Sequence, residues 1–152
     1  MSQILNRIKQ LGHSLPEVPQ PAGSYLNYTQ SGNLLFLAGG IPPLEEQFKG
    51  KVPSETSIQT AQEAARLITL NRLAVVEEAI GDLDRVSKIV TVNGFVNSDL
   101  DFFDHPSVIN GCSDLLVEIF GDIGKHSRTA MGAAALPLNV SVEINMVVEF
   151  TQ

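Results

Sequence analysis

From Val140 to Phe150 the chain alternates with the period of a β-strand. Val140, Val142, Ile144, Met146, Val148 and Phe150 share one parity, and Ser141, Glu143, Asn145, Val147 and Glu149 share the other. Successive side chains of a strand point to opposite faces, so this run presents one wholly apolar face and one mixed face. The apolar face requires a covering layer. The mixed face, with Glu143 near its middle, reads neither as core nor as plain solvent surface.

The covering layer can be read from the other periodicities. Ile58, Ala61, Ala65, Ile68 and Val75 follow helical spacing along a segment that stops at Gly81, and Thr56 with Gln59 reads as a capping box at its start. A second helix is expected from Asp104-His105, with Pro106 in its first turn, Val108/Ile109, Cys112, Leu115/Leu116 and Ile119 on its apolar side, and Gly121 at its end. Ile4, Leu5, Ile8 and Leu11 predict a short N-terminal helix closed by Gly12, so residues 1–15 form a helical extension. The next segment, SLPEVPQPAG, holds three prolines and reads as an extended connection.

Strands fill the remainder. SYLNYTQ and LLFLAGG flank Ser31-Gly32-Asn33 and read as a hairpin. RVSKIVTVNGFV is rich in β-branched residues and is expected to be buried on both faces, because Val86/Val90/Val92/Val96 and Ile89/Phe95 occupy opposite parities. Residues 127–135 and 140–150 flank LPLN and read as a second hairpin. After the first helix the order is β-β-α-β-α-β-β. The predicted fold class is therefore α+β: a mixed sheet with two helices packed on one face, plus the N-terminal helix, in a single domain over 1–152.

Charge and composition exclude several functions. With 10 basic and 17 acidic residues the formal charge is −7, and the basic residues are scattered, so no cationic face is available for nucleic acid. A single cysteine, Cys112, excludes an internal disulfide and a cysteine-based metal cage. No apolar run approaches the ~20 residues of a membrane span, so no membrane association is expected. No early segment is apolar enough for a secretory signal, and a cytoplasmic location is expected.

Attention then falls on Arg128. On its strand Arg128, Ala130, Gly132 and Ala134 share a parity, and every residue after the arginine is small. If residues 136–139 form the hairpin turn, 132 pairs with 143. Arg128 and Glu143 then project from the same, non-helical face, roughly 13 Å apart along the strand at ~3.3 Å per residue. Such a face suits close approach by a ligand or another chain. Arginine offers a rigid planar fork for a carboxylate, and a nearby glutamate can orient or deprotonate water. Structural ion pairs at a surface or interface are the alternative reading.

The same residues carry a family likeness. SRTAMGAAALPLNVSVEI closely resembles the Arg-(Ser/Thr)-Ala … Leu-Pro … (Val/Ile)-Glu-Ile signature of the RidA/YjgF family. Its members are small trimeric proteins, formerly labelled endoribonuclease L-PSP, with a chorismate-mutase-like fold. GSYLNYTQSGNLLFLAGGIP, VNGFV and DLDFF are similar to further family segments, and the likeness spans residues from about 16 to 150. It is strongest to the family's longer branch.

The resemblance implies an imine/enamine deaminase that hydrolyses reactive 2-imino acids to 2-keto acids and ammonia in a cleft between subunits. Arg128 is the implied carboxylate clamp and Glu143 positions the water, with the family's spacing of fifteen positions kept. Tyr25, Gly39, Phe95, Asn110 and Ala130 are the implied substrate-binding residues. The implied partners are a small carboxylate-bearing metabolite and two further copies of the chain, with no cofactor and no metal. The chain departs from the family at His126-Ser127, where Pro-Ala is usual, at Ala38-Gly39-Gly40, where Ser-Gly-Gln is usual, and at Ala130, often a cysteine. A differently catalytic or non-catalytic trimer that binds small carboxylates such as 2-keto acids is therefore the second reading.

Other reactive residues have simpler explanations. Cys112 lies among apolar neighbours at helical spacing and reads as a core thiol. His126 reads as a loop residue near Arg128, and His13 and His105 lack metal-ligand spacing. Asp99, Asp101 and Asp104 read as solvated loop carboxylates and a helix cap. Gly39-Gly40 is followed by no helix and no Lys-Ser/Thr, so it is no phosphate loop.

Overall fold

The computed structural model describes residues 2–152; the start of the expected extension, Met1, lies outside them. Helix α1 (Gln3–Gln10) begins at Ser2, whose hydroxyl accepts the Leu5 N–H, and Gly12 follows its end at φ +86°. The Asp84 carboxylate accepts from Ser2 Oγ and from the Gln3 and Ile4 amides, which ties this helix to the body through its otherwise orphan N–H groups.

The first hairpin is present, with β1 (Tyr28–Ser31) antiparallel to β2 (Leu34–Leu37) around Gly32 at φ +61°. Tyr25 precedes β1 rather than lying in it. Helix α2 (Ile58–Ile80) starts one residue later than the capping-box reading placed it. Ser57 is the cap and accepts the Thr60 N–H, while the Thr56 hydroxyl donates to the Lys49 carbonyl. Gly81 closes the helix in the left-handed region, at φ +83°. Helix α3 (His105–Phe120) begins and ends where its sequence signals lie, with Pro106 in the first turn.

Strands β3 (Val86–Asn97), β4 (Ser127–Ala133) and β5 (Val142–Phe150) complete a five-stranded mixed sheet in the order β1-β2-β5-β3-β4. The alternation in β5 is realised in full. Val142, Ile144, Met146, Val148 and Phe150 are buried beneath α2 and α3, and the residues between them are half-buried on the opposite face. Fully burying each such side chain stabilises by about 1.5–3 kcal/mol as an upper bound. The strand is also central in the sheet, flanked by β2 and β3.

This strand order overturns the second hairpin. β5 inserts between β2 and β3, and β4 instead lies parallel to β3 at the sheet edge, after the helical crossover through α3. β4, made of small and polar residues, has little to bury and takes the edge. The LPLN segment becomes a 3-10 turn (Pro137–Asn139) in a connection that passes the end of β3, with Leu138 and Asn139 at positive φ. β3 also departs from expectation. Two register shifts, between Val86 and Lys88 and between Ile89 and Thr91, break its parity. Ile89, Val92, Gly94 and Val96 face the helices, whereas Val90, Asn93 and Phe95 are only half-buried on the other side.

Candidate functional site

Arg128 is placed by β4 on the helix face of the sheet, not on the face expected from the hairpin register. It sits beside buried Val92, and its Nη1 donates to Asn110 Oδ1 at 2.7 Å and to Ser113 Oγ at 3.3 Å, both on α3. Asn110 therefore lies more than a turn inside α3 and holds the guanidinium. His126 completes the set. Its Nδ1 lies 2.7 Å from the Gly124 carbonyl, which can only accept, so Nδ1 donates there, and Nε2 lies 2.8 Å from the Ser113 hydroxyl. Ser113 thus bridges His126 and Arg128, accepting from the guanidinium. Sequence reading treated His126 as a loop residue and did not single out Ser113.

No carboxylate lies within ion-pair distance of Arg128 among the described residues. The side chain is exposed at the sheet edge, so its charge stays hydrated and open to an anion. Ala130 is two residues further along the same face, and beyond it Gly132 lies so close to α3 that a methyl there would sit 2.6 Å from His105 Nε2.

Glu143 occupies the other face. It stands opposite Phe95, and Phe95 in turn stands opposite Met131, so the three form one row across the sheet. From this register Arg128 and Glu143 are about 14 Å apart at their Cα atoms and project to opposite sides. One chain does not bring them together. Glu143 instead lies against Gly39, where a methyl would fall 2.6 Å from Oε2. The next residue is blocked from the helix side, since a methyl on Gly40 would lie 2.7 Å from Arg72 Nε. Both glycines are thus approached closely, Gly39 by the flexible end of Glu143 and Gly40 by Arg72 and Ile68.

Arg72, on α2, is the charged residue that the sequence reading passed over as one of several scattered cations. It is 2% exposed, its Nη1 donates to the Ala38 carbonyl at 2.8 Å, and its Nε and Nη2 donate to Asn71 Oδ1 at 3.0 and 2.7 Å. Its position within the apolar run Ile68–Val76 is the signal that could have found it. Burial pulls the guanidinium below its ordinary pKa, and the fields of Tyr25 and Glu143 oppose that shift. Burial pushes Glu143 above the ordinary carboxylate range, and Arg72 works against that rise. Tyr25 is 52% exposed, and with Gly39 it lines a cavity that also reaches Arg72. Phe95 and Glu143 therefore share one face of the sheet, with Gly39 against Glu143 and Tyr25 across the cavity beside Arg72, and Asn110, Arg128 and Ala130 lie on the helix side at the β4 edge.

The remaining candidates are structural. Cys112 is fully buried and its thiol is pushed up to about 12 by desolvation, against a Thr69 hydrogen bond and the field of Arg128. Asp99 accepts from Ser54 N and Oγ, and Asp104 accepts from Ser107 Oγ. Among the described residues no group of three or more His, Cys, Asp or Glu is arranged to hold a metal, and no helix is long and apolar enough to cross a membrane.

Residues 5–150 match the family described as "YjgF/chorismate mutase-like, putative endoribonuclease". The chain belongs to this family. It is 35% identical over 150 residues to Protein TCP17 of Trypanosoma cruzi, covering 97% of this chain and 94% of that one. It is 32% identical over 138 residues to a 2-iminobutanoate/2-iminopropanoate deaminase of Dermatophagoides farinae, covering 89% and 92%. The crystal structure of the protein Atu1372 from Agrobacterium tumefaciens superposes with a TM-score of 0.88 at 39% identity, covering 97% and 91%. The YjgF fold is thus matched through its long form, including the segment that carries α1.

Proposed function

We propose that this YjgF-family chain is an imine deaminase whose cleft forms where one copy presents Arg128 to the Glu143 side of the next, in a closed homotrimer. The observation that carries the proposal is the division of the two charged groups. Arg128 is held in one orientation by Asn110 and Ser113 without a carboxylate partner, and Glu143 is held at Gly39 on the opposite face. Each half lacks what the other has, and a heterologous interface repeated around a three-fold axis supplies it. Phe36, Met131 and Tyr25 are exposed apolar groups that such an interface would cover.

In the assembled cleft Arg128 binds the carboxylate of a 2-imino acid bidentately, and the Gly39 and Ala130 backbones border it. Glu143 takes a proton from water as the oxygen attacks the imine carbon. Glu143 returns that proton to the nitrogen of the tetrahedral adduct, the hydroxyl proton then moves to the same nitrogen, and the C–N bond breaks as the C=O bond forms, releasing ammonia and the 2-keto acid. A carboxylate raised toward neutrality is a better proton carrier for this sequence than an ordinary one. Positioning supplies much of the remaining rate, because the imine is already reactive.

The test is to generate 2-iminopropanoate in situ and follow pyruvate. Wild type should accelerate its appearance, and Arg128→Ala should lower kcat/KM by about two to three orders of magnitude. Equal rates with and without wild-type protein remove this substrate from the proposal. The chain's Gly39-Gly40 and Ala130 offer backbone donors but no side-chain hydroxyl or thiol, which favours a carboxylate-binding trimer as the second reading. Under that reading 2-oxobutanoate raises the Tm without turnover of the imine.

A further inference from the structure

A well-formed cavity of the molecule lies away from Arg128. It has a volume of about 450 Å3 and lies between α2, the proline segment 16–22 and the loop 39–44. That volume falls in the range of small-molecule sites. Pro16, Pro19, Pro21 and Pro43 form much of its wall, with Leu67 and Leu70 of α2 on the other side. Proline fixes φ and has no N–H, so this wall is stiff and poor in backbone donors.

At one end lies Arg72. Its three recorded hydrogen bonds end on an amide oxygen and a backbone carbonyl, which are neutral acceptors. Arginine has five N–H donors and does not lose its charge. One hydrogen on each terminal nitrogen is therefore left without a recorded partner, and no carboxylate among the described residues lies within ion-pair distance. Glu143 acts on Arg72 only through its field. A buried cation with neutral partners beside an apolar chamber is an unfavourable arrangement for an empty protein and a favourable one for a bound anion.

We propose that this chamber is a second binding site, for a small monocarboxylate with a compact apolar body: the carboxylate meets Arg72 and the body packs between the prolines and α2. The inference does not rest on imine hydrolysis or on assembly, because every group it uses belongs to one chain. Tyr25 and Gly39 border the chamber, so an occupant would lie within reach of the Glu143 half of the cleft.

Benzoate is a suitable probe, and benzamide is its neutral counterpart of nearly the same shape. In calorimetry and thermal-shift measurements on the full chain, benzoate should bind saturably at millimolar concentration, and benzamide at least about tenfold more weakly. Arg128→Ala should bind benzoate as wild type does. Arg72→Gln should weaken it about ten- to a hundredfold. Arg72 pins the Ala38 carbonyl, so its loss can also disturb the fold. Leu67→Trp, which fills the chamber and leaves the arginine in place, should abolish binding with a native circular dichroism spectrum. Binding lost in Arg128→Ala and kept in Leu67→Trp would assign benzoate to the other arginine and overturn the proposal. Equal affinity for benzamide, undiminished affinity in Arg72→Gln, or no saturable binding to wild type would overturn it as well.

Discussion

The edge of the sheet and its centre hold their charged groups in opposite ways. At the β4 edge, Arg128 stays hydrated and is steered by two neutral acceptors on α3, with His126 fixing the serine behind them. At the centre, Glu143 and Arg72 are drawn into the protein from opposite faces of the Gly39-Gly40 step and feel each other only at a distance. A hydrated cation is inexpensive to keep and can be offered to a partner molecule. A desolvated carboxylate is costly to keep ionised, and its protonation responds to whatever occupies the space around it. Under the proposed function the edge captures charge and the centre moves a proton.

The strongest way to break this division is to remove one half from each of two chains. Arg128→Ala and Glu143→Gln should each be nearly inactive alone. Co-refolded in equal amounts, they should regain activity in about one cleft in four, since a trimer mixed at random pairs an intact arginine with an intact glutamate at that frequency. A mixture that stays as inactive as its components would place both groups in separate sites. A smaller effect is expected at Gly39. The methyl of Gly39→Ala meets the flexible end of Glu143, so the carboxylate moves while the fold persists. Its kcat should fall about ten- to a hundredfold with the Tm within about 2 °C of wild type. A loss of stability as large as the loss of rate would make the glycine a packing residue instead.

The least effect is a matter of stability. Burial raises the folded-state pKa of Glu143, so its contribution to stability is present below the ordinary carboxylate pKa and is lost as pH rises through the raised value. Glu143→Gln should therefore melt about 1–2 °C higher than wild type at pH 8, with the gap closing as the pH falls through the carboxylate range. The group is half-exposed and solvent screening keeps the effect small. A Tm difference independent of pH would refute the desolvated-carboxylate reading.

Much of this architecture is legible without coordinates. Pro106, Gly12, Gly81 and Gly121 mark helix boundaries through backbone rules that operate over a few residues, and the alternation of β5 shows which of its faces is covered. The likeness around Arg128 and Glu143 points to both halves of the proposed cleft. The hairpin reading failed because adjacency along the chain was taken for adjacency in the sheet, and the arginine's orientation failed with it. Arg72 was missed for a related reason. A lone cation in a helix looks like surface until the helix is seen to be buried nearly all round.

What the sequence by itself determined is local: where helices start and stop, which parity of β5 is apolar, and which residue types could bind an acid. What only the tertiary structure decided is which strand lies beside which. With β5 between β2 and β3, β4 takes the edge beside β3, which turns Arg128 toward α3 and separates it from Glu143. Strand order depends on the summed burial of distant segments, and no short stretch of residues carries that sum.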